Sequence, residues 1–290
     1  MVAVRPLRSL DKDLLVSFLS AYAESSMFLL SNLAADGIEN PHLRYGGDYW
    51  GAFDEAHDLI GVAAHYSNGN VIVQLPEPSG RQAVLTALRQ HMTRPVAGVI
   101  GPDAEVVDAL RVLDPGPIGF AINRGETLFS LSVGRLAMPA PRPEHVSVTH
   151  WSNVDQELLH AWLLVYRREA MGQKPTSALE KAVAAEVRDP DAFERFVLLV
   201  NDVPVALAGF NARLPEMLQL GSVFTPPEHR SRGYARYLIG QMLHTSFGQG
   251  VKKVILFTND LAAERAYRSL GFAPIGDYRL AIFNEPTSLT

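Results

Sequence analysis

Between Val146 and Phe283 the apolar positions switch back and forth between two periods. Val146-Ser147-Val148-Thr149 alternates as a strand does. Leu159, Trp162, Leu163 and Tyr166 then fall on one face of a helix over 155–170, and 177–187 predicts a second helix that stops at Asp189-Pro190. Residues 196–200 and 205–210 predict two strands joined by a turn at Asn201-Asp202, and 217–225 predicts a third strand. A helix follows over 233–247, with Ala235, Leu238, Ile239, Met242 and Leu243 on one stripe. The remaining elements are a strand over 253–258, a helix over 261–270 closed by Gly271 in a left-handed cap position, and a strand over 277–283. The order is strand, two helices, three strands, helix, strand, helix, strand. It predicts the α/β class, with one mixed sheet carrying helices on both faces.

The first half repeats this order loosely. Strands are expected at 49–53 and 59–66 around a turn at 54–58, and again at 71–75, 96–100 and 127–133. Helices are expected at 81–92 and 104–113, and Leu14 to Leu30 predicts one amphipathic helix. The repeat implies a tandem duplication with a period too long for a solenoid. Prolines at 139, 141 and 143 remove backbone donors and restrict the residues before them, so 139–145 is expected to be an extended linker. The expected domains are therefore 1–138 and 146–290.

Composition narrows the function. A hydrophobic fraction of 47% allows each half a core, and the net charge of −5 argues against a nucleic-acid or anionic-membrane partner. The chain has no cysteine, which excludes disulfides, thiolate metal sites and an acyl-thiol enzyme intermediate. The nine histidines show no metal-ligand spacing, so no metal is expected. The start, Met1 to Leu7, lacks a signal-peptide core, and 14–30 contains Glu24 and serines where a membrane span would be apolar. A cytoplasmic protein is expected.

The segment with chemical content is Val223-Phe224-Thr225-Pro226-Pro227-Glu228-His229-Arg230-Ser231-Arg232-Gly233-Tyr234-Ala235-Arg236. A strand enters a turn, and the turn enters an amphipathic helix. The first turn of a helix offers unpaired N–H groups and the positive end of its dipole, which suits a phosphate. Gly233 permits close approach, Ala235 keeps the next turn slim, and Arg230, Arg232 and Arg236 add positive charge. The alternative is an ordinary solvated basic helix start. Two other phosphate motifs, G-x-x-x-x-G-K-[ST] and a strand-borne G-x-G-x-x-G, do not occur.

Arg230-x-x-Gly233-x-Ala235 resembles the Gln/Arg-x-x-Gly-x-Gly/Ala signature of the GNAT superfamily of N-acetyltransferases. The likeness extends upstream through Val223-Phe224-Thr225 and Pro227, and downstream through Asn259, Tyr267 and Leu270-Gly271-Phe272. It covers the chain from about His145 to Thr290. The resemblance implies tandem GNAT-like domains, each a mixed, mostly antiparallel sheet flanked by helices. It implies that the amides of Ser231, Arg232, Gly233, Tyr234, Ala235 and Arg236 hold the diphosphate of acetyl-CoA or another short acyl-CoA. It implies that Val223, Phe224 and Thr225 pair with the pantetheine arm, and that this strand splays from 253–258. Asn259 stands near the place of a cofactor-contacting Asn, one residue off the usual spacing, which Asp260 occupies. Tyr267 takes the place of the general acid to the CoA thiolate; its alternative reading is a core aromatic on a stripe with Ala263, Ala266 and Leu270. The strand 217–223 lacks the carboxylate base of many relatives, and Glu216 lies just before it.

The first half lacks the signature. Pro76-Glu77-Pro78-Ser79-Gly80-Arg81 follows the strand at 71–75, with Glu77 where a diphosphate would be repelled. It is expected to be a degenerate GNAT-like domain. The resulting expectation is transfer of an acetyl group from acetyl-CoA to a primary amine of a small molecule or peptide, by a monomer (a pseudo-dimer) or a homodimer. The alternatives are a non-catalytic acyl-CoA sensor and an aminoacyl transferase of the Fem type.

Overall fold

The structure, a computed structural model, describes residues 2–140, 145–190 and 194–289. Contacts divide the chain into two compact units, Met1–Thr127 with Gly276–Thr290, and Leu128–Ile275.

The element order occurs twice. The first pass is β1 (Ala3–Pro6), α1 (Lys12–Ser20), α2 (Met27–Asp36), β2 (Gly47–Phe53), β3 (Leu59–Tyr66), β4 (Asn70–Gln74), α3 (Pro78–His91), β5 (Val96–Pro102), α4 (Asp103–Leu113) and β6 (Phe120–Ser132). The second is β7 (Val146–His150), α5 (Gln156–Met171), α6 (Ser177–Arg188), β8 (Glu194–Val200), β9 (Val203–Arg213), β10 (Met217–Phe224), α7 (Tyr234–Gly248), β11 (Lys253–Thr258), α8 (Leu261–Ser269) and β12 (Ala273–Thr287). The duplicated order read loosely from hydrophobic periodicity is therefore present, with β1 as a strand that the reading did not contain. One helix expected over 14–30 is instead two, α1 and α2. The break has a polar cause: the Ser25 and Ser26 hydroxyls donate to Gln74 Oε1 at 2.8 and 3.0 Å, so two serines point inward where a continuous stripe would need apolar residues. Of the expected 139–145 linker, residues 141–144 lie outside the described residues, and Pro139 lies against Gly240 of α7.

Within the first unit β1, β2, β3 and β4 pair antiparallel in sequence, β4 pairs parallel with β5, and Tyr278–Ile282 of β12 pairs antiparallel with Pro102–Gly98 of β5. Within the second unit β7, β8, β9 and β10 are antiparallel and β10 pairs parallel with β11. The strand after each α4-type helix is shared. Residues 120–127 of β6 belong to the first unit and 128–132 to the second, and β12 divides likewise at 275/276.

Side chains alternate across the second unit's sheet, so each face carries its own core. On one face Leu198, Ala206, Ala208, Leu218 and Leu220 meet Leu238, Ile239 and Leu243 of α7 and Tyr267 and Leu270 near α8. On the other, Val197 and Leu207 meet Leu159, Trp162 and Leu163 of α5 and Val183 and Val187 of α6. Each fully buried aliphatic side chain contributes about 1.5–3 kcal/mol. The turn between β8 and β9 consists of Asn201 and Asp202, both at positive φ (48° and 62°), the handedness that matches strand twist in a two-residue hairpin.

Candidate active site

The parallel pairing of β10 with β11 runs over Met217–Gln219 and Lys253–Ile255. Beyond Gln219, β10 continues to Phe224 paired with β9 on its other side. Among the described residues no pairing joins Leu220–Phe224 to β11. The two parallel strands thus part after Gln219, and β10 presents an open backbone edge on that side. An extended, amide-bearing ligand can add to such an edge as a strand does.

At the end of β10 the chain makes a single helical turn at Pro227–His229 and reaches α7. Ser231 (φ 60°) and Gly233 (φ 73°) are left-handed, which turns successive N–H groups toward one point, a geometry suited to an anion. Gly233 is the N-cap of α7, and no side chain accepts from the helix start. The other helices of this unit differ. Asp155 accepts from Leu158 N at the start of α5, Thr176 from Leu179 N at α6, and Asp260 from Ala262 N and Ala263 N at α8. The α7 start is the uncapped one among these four helices, so its orphan amides stay available to a ligand.

Arg230 does more than add charge. Its Nε donates to the Thr225 carbonyl at 2.9 Å and its Nη2 pairs with Glu169 Oε2 at 2.6 Å. The side chain ties the end of β10 to α5 and holds the turn in shape. Arg232 and Arg236 are exposed beside the same helix start. Ala235 is half-buried. Tyr234 sets its ring edge-on to His229 at 6.2 Å, and the His229 Nδ1 is buried with no hydrogen-bond partner among the described residues. The His229 ring is thus turned with its Nδ1 inward, against Tyr234.

The strand residues Val223, Phe224 and Thr225 are brought directly before this turn. Val223 packs toward α7 and Phe224 toward α5, where its ring lies 5.9 Å from Trp162. Asn259 is exposed and immediately precedes Asp260, whose carboxylate is engaged in capping α8. Tyr267 is 8% exposed, in the same core cluster as the α7 stripe, with Phe272 at 5.9 Å. Glu216 pairs with Lys252 at 2.5 Å at the opposite end of β10 from the signature turn. On β10 itself, Gln219 is buried; its Nε2 donates to the Leu220 carbonyl and its Oε1 has no partner among the described residues. No group of three or more metal-ligating side chains is found among the described residues.

Sequence reading missed two features. One is the Glu169–Arg230 brace, whose partners are 61 residues apart with no local pattern linking them. The other is an irregularity in β9 and β10. Asn211 is an extra residue on β9 between the pairs Gln219↔Ala212 and Leu220↔Phe210. One further residue is extra on β10 between Gly221↔Gly209 and Phe224↔Leu207.

The sequence profile of the acetyltransferase (GNAT) family matches residues 156–272, a span that contains the splayed strands, the uncapped helix start and Tyr267. This segment is a GNAT-family domain. Comparison with curated proteins gives no match. Among solved structures the chain is similar to a GCN5-related N-acetyltransferase from Sphaerobacter thermophilus (TM-score 0.54, 16% identity, 99% of this chain and 96% of that one). It is also similar to a tandem GNAT protein from the clavulanic acid biosynthesis pathway (TM-score 0.54, 12% identity, 99% and 100%). A Drosophila protein aligns with a TM-score of 0.63 at 13% identity, over 97% and 99%. At these identities the likeness concerns the fold: two GNAT-like domains in one chain. Acyl transfer is the general activity of GNAT domains, with acyl-CoA as the usual donor. No helix among the described residues is long and apolar enough to cross a membrane.

Proposed function

We propose that the chain is an N-acyltransferase that moves an acetyl or other short acyl group from acyl-CoA to a primary amine of a small molecule or peptide. The observation that carries this reading is the uncapped start of α7, fed directly by the free edge of β10. The amides of Ser231 to Arg236 would take the diphosphate as charge-assisted hydrogen bonds, each worth on the order of 1.5–3 kcal/mol. Arg232 and Arg236 add charge, and Val223 to Thr225 would pair with the pantetheine arm. Asn259, exposed at the mouth of α8, is a further cofactor contact in this reading.

The thioester supplies an electrophilic carbonyl. The amine nitrogen forms the new C–N bond, the C–S bond breaks, and the amine's proton leaves to solvent. The N–H of a residue near Val223 would stabilise the oxygen as negative charge develops on it. Tyr267 would protonate the departing thiolate. A phenol near pKa 10 does this only when held in position, and its packing in the core supplies that rigidity. Much of the rate would come from holding both reactants in register.

The burial of Tyr267 also favours a second reading, in which the domain binds acyl-CoA without turnover and Tyr267 is a packing residue. One assay separates the two: release of the CoA thiol from acetyl-CoA in the presence of a panel of amines, for the parent and for Tyr267→Phe. Transfer requires thiol release that depends on the amine, and a role for Tyr267 requires that this release fall at least about tenfold in the variant. Release unchanged by the substitution removes Tyr267 from the chemistry, and binding without release favours the sensor.

A further inference from the structure

We propose that Asn211 is a positioning residue that sets the oxyanion-binding amide of β10, through its grip on Ser222 and Gly221. The inference rests on the reading of β10 as the donor-binding strand.

The argument starts from the two irregularities in β9 and β10. Asn211 is the residue bulged out of β9, and its carboxamide lies across β10 rather than away from it. A Cβ on Gly221 would meet Asn211 Nδ2 at 1.9 Å, so only glycine leaves room for that side chain. The Ser222 hydroxyl donates to Asn211 Oδ1 at 3.1 Å. Ser222 is buried and stands at φ 53°, a left-handed conformation that costs a residue with a side chain about 1–2 kcal/mol. The hydrogen bond to Asn211 offsets that cost.

The left-handed residue creates the extra position on β10, and the extra position has two consequences. Side chains beyond it change face. Leu218 and Leu220 point toward α7, and strict alternation would send Phe224 there as well; instead Phe224 packs on the α5 side and Val223 takes the α7 side. N–H groups alternate along a strand too, so the same shift decides which amides beyond Gly221 face the open edge.

The first unit is an internal comparison. Its equivalent strands, β3 and β4, pair from Val62↔Gln74 to His65↔Val71 without any shift, and that half lacks the signature turn. The fold therefore does not need the extra residue that Asn211 makes on the strand before β10. That residue accompanies the unit that carries the signature turn.

The test compares Asn211→Ala and the double variant Asn211→Ala/Ser222→Gly with the parent. kcat and KM for acetyl transfer are measured alongside calorimetric binding of CoA. Losing the brace leaves Ser222 strained and the amide misdirected. We expect kcat to fall about tenfold to a hundredfold, with CoA affinity within about threefold. Glycine takes a positive φ without penalty, so the double variant is expected to recover most of the lost kcat. A merely structural role for Asn211 predicts lower stability with no such rescue. If Asn211→Ala does not fold, Asn211→Gln replaces it, with the same rescue expected. Parent-like kcat in the single variant, or no recovery in the double variant, overturns the inference. A parent that neither binds CoA nor transfers an acyl group overturns the reading of the site instead.

Discussion

The Glu105 carboxylate accepts the backbone N–H of Leu75 at 2.5 Å. Leu75 follows β4, the strand that occupies in the first unit the place β10 has in the second, and Glu105 sits in the first turn of α4, the counterpart of α8. Arg81 closes the other side, taking the carbonyls of Leu75 and Pro76 at 2.7 and 3.3 Å while pairing with Asp108. Arg230 takes the Thr225 carbonyl in the second unit in the same way, so the difference between the units at this strand end is the carboxylate that Glu105 brings to the Leu75 N–H. At the same turn of α8 stands Ala263, whose small side chain reaches nothing comparable.

That carboxylate makes stability depend on pH. Glu105 is 5% exposed, and burial pushes it up to about 7 against the opposing pull of the Leu75 N–H and Arg81. A raised carboxyl binds its proton more tightly in the folded state. Its favourable contribution is complete below about pH 4.5 and is lost as pH rises through about 7. Glu105→Gln keeps an oxygen for Leu75 and removes the charge. The variant should exceed the parent in stability by on the order of 2–3 kcal/mol at pH 8, with the difference closing toward pH 4. Thermal melts at the two pH values measure this, and a gap that does not change with pH contradicts the assignment.

His65 runs the other way. Burial, with Arg94 nearby, pushes it down to about 4, so the folded protein holds the ring neutral. The stability this gives is present above about pH 6.5 and drains away as pH falls through about 4. Ring-proton NMR across pH 7 to 5 is expected to show the His65 signals unmoved. A midpoint near 6.5 would refute a neutral buried ring.

Gly233 is held at φ 73° at the start of α7. Alanine there should lower stability by about 1–2 kcal/mol through backbone strain. Glutamate adds a side chain and a negative charge at the proposed diphosphate position, and acyl-CoA affinity should fall by more than about tenfold. Calorimetric titration with CoA measures the second effect; undiminished affinity in Gly233→Glu would show that the diphosphate lies elsewhere.

The second unit carries a buried charge cluster behind α5 and α6. Glu186 pairs with Arg195 and, at 2.8 Å, with Arg167; Arg195 is 5% exposed and its guanidinium lies 4.7 Å from the centre of the Trp151 ring. Glu186→Ala leaves Arg195 buried without its counter-charge and should cost about 3–5 kcal/mol. Replacing Glu186 and Arg195 together by methionine should cost much less. Urea unfolding of the single and double variants tests this, and equal losses in both would mean that packing rather than charge sets the cost.

Much of this protein could be read without coordinates, because the signals are local. The Asn201-Asp202 hairpin, the stop of α6 at Asp189 and the stripe on α7 each arise from residues a few positions apart. Backbone dihedrals and side-chain period act at that range, so the duplicated order of elements and the glycine-started helix follow from the order of residues alone. The one misread helix, over 14–30, failed for a long-range reason: Ser25 and Ser26 turn inward to meet Gln74, which is 49 and 48 residues away.

The rest depended on which strands meet. That β12 completes the first unit by pairing with β5, that Asn211 reaches over Gly221 to Ser222, and that Glu105 turns to Leu75 are outcomes of pairing between segments 11 to more than 170 residues apart. No periodicity encodes such partners. They are selected by packing and by the need to satisfy buried polar groups once the sheets have formed. The order of residues determined a twice-used α/β plan and the place of a glycine-started, uncapped helix. Only tertiary structure decided that one copy leaves its strand edge open while the other fills its own with Glu105, because an edge becomes available or occupied only when distant side chains arrive at it.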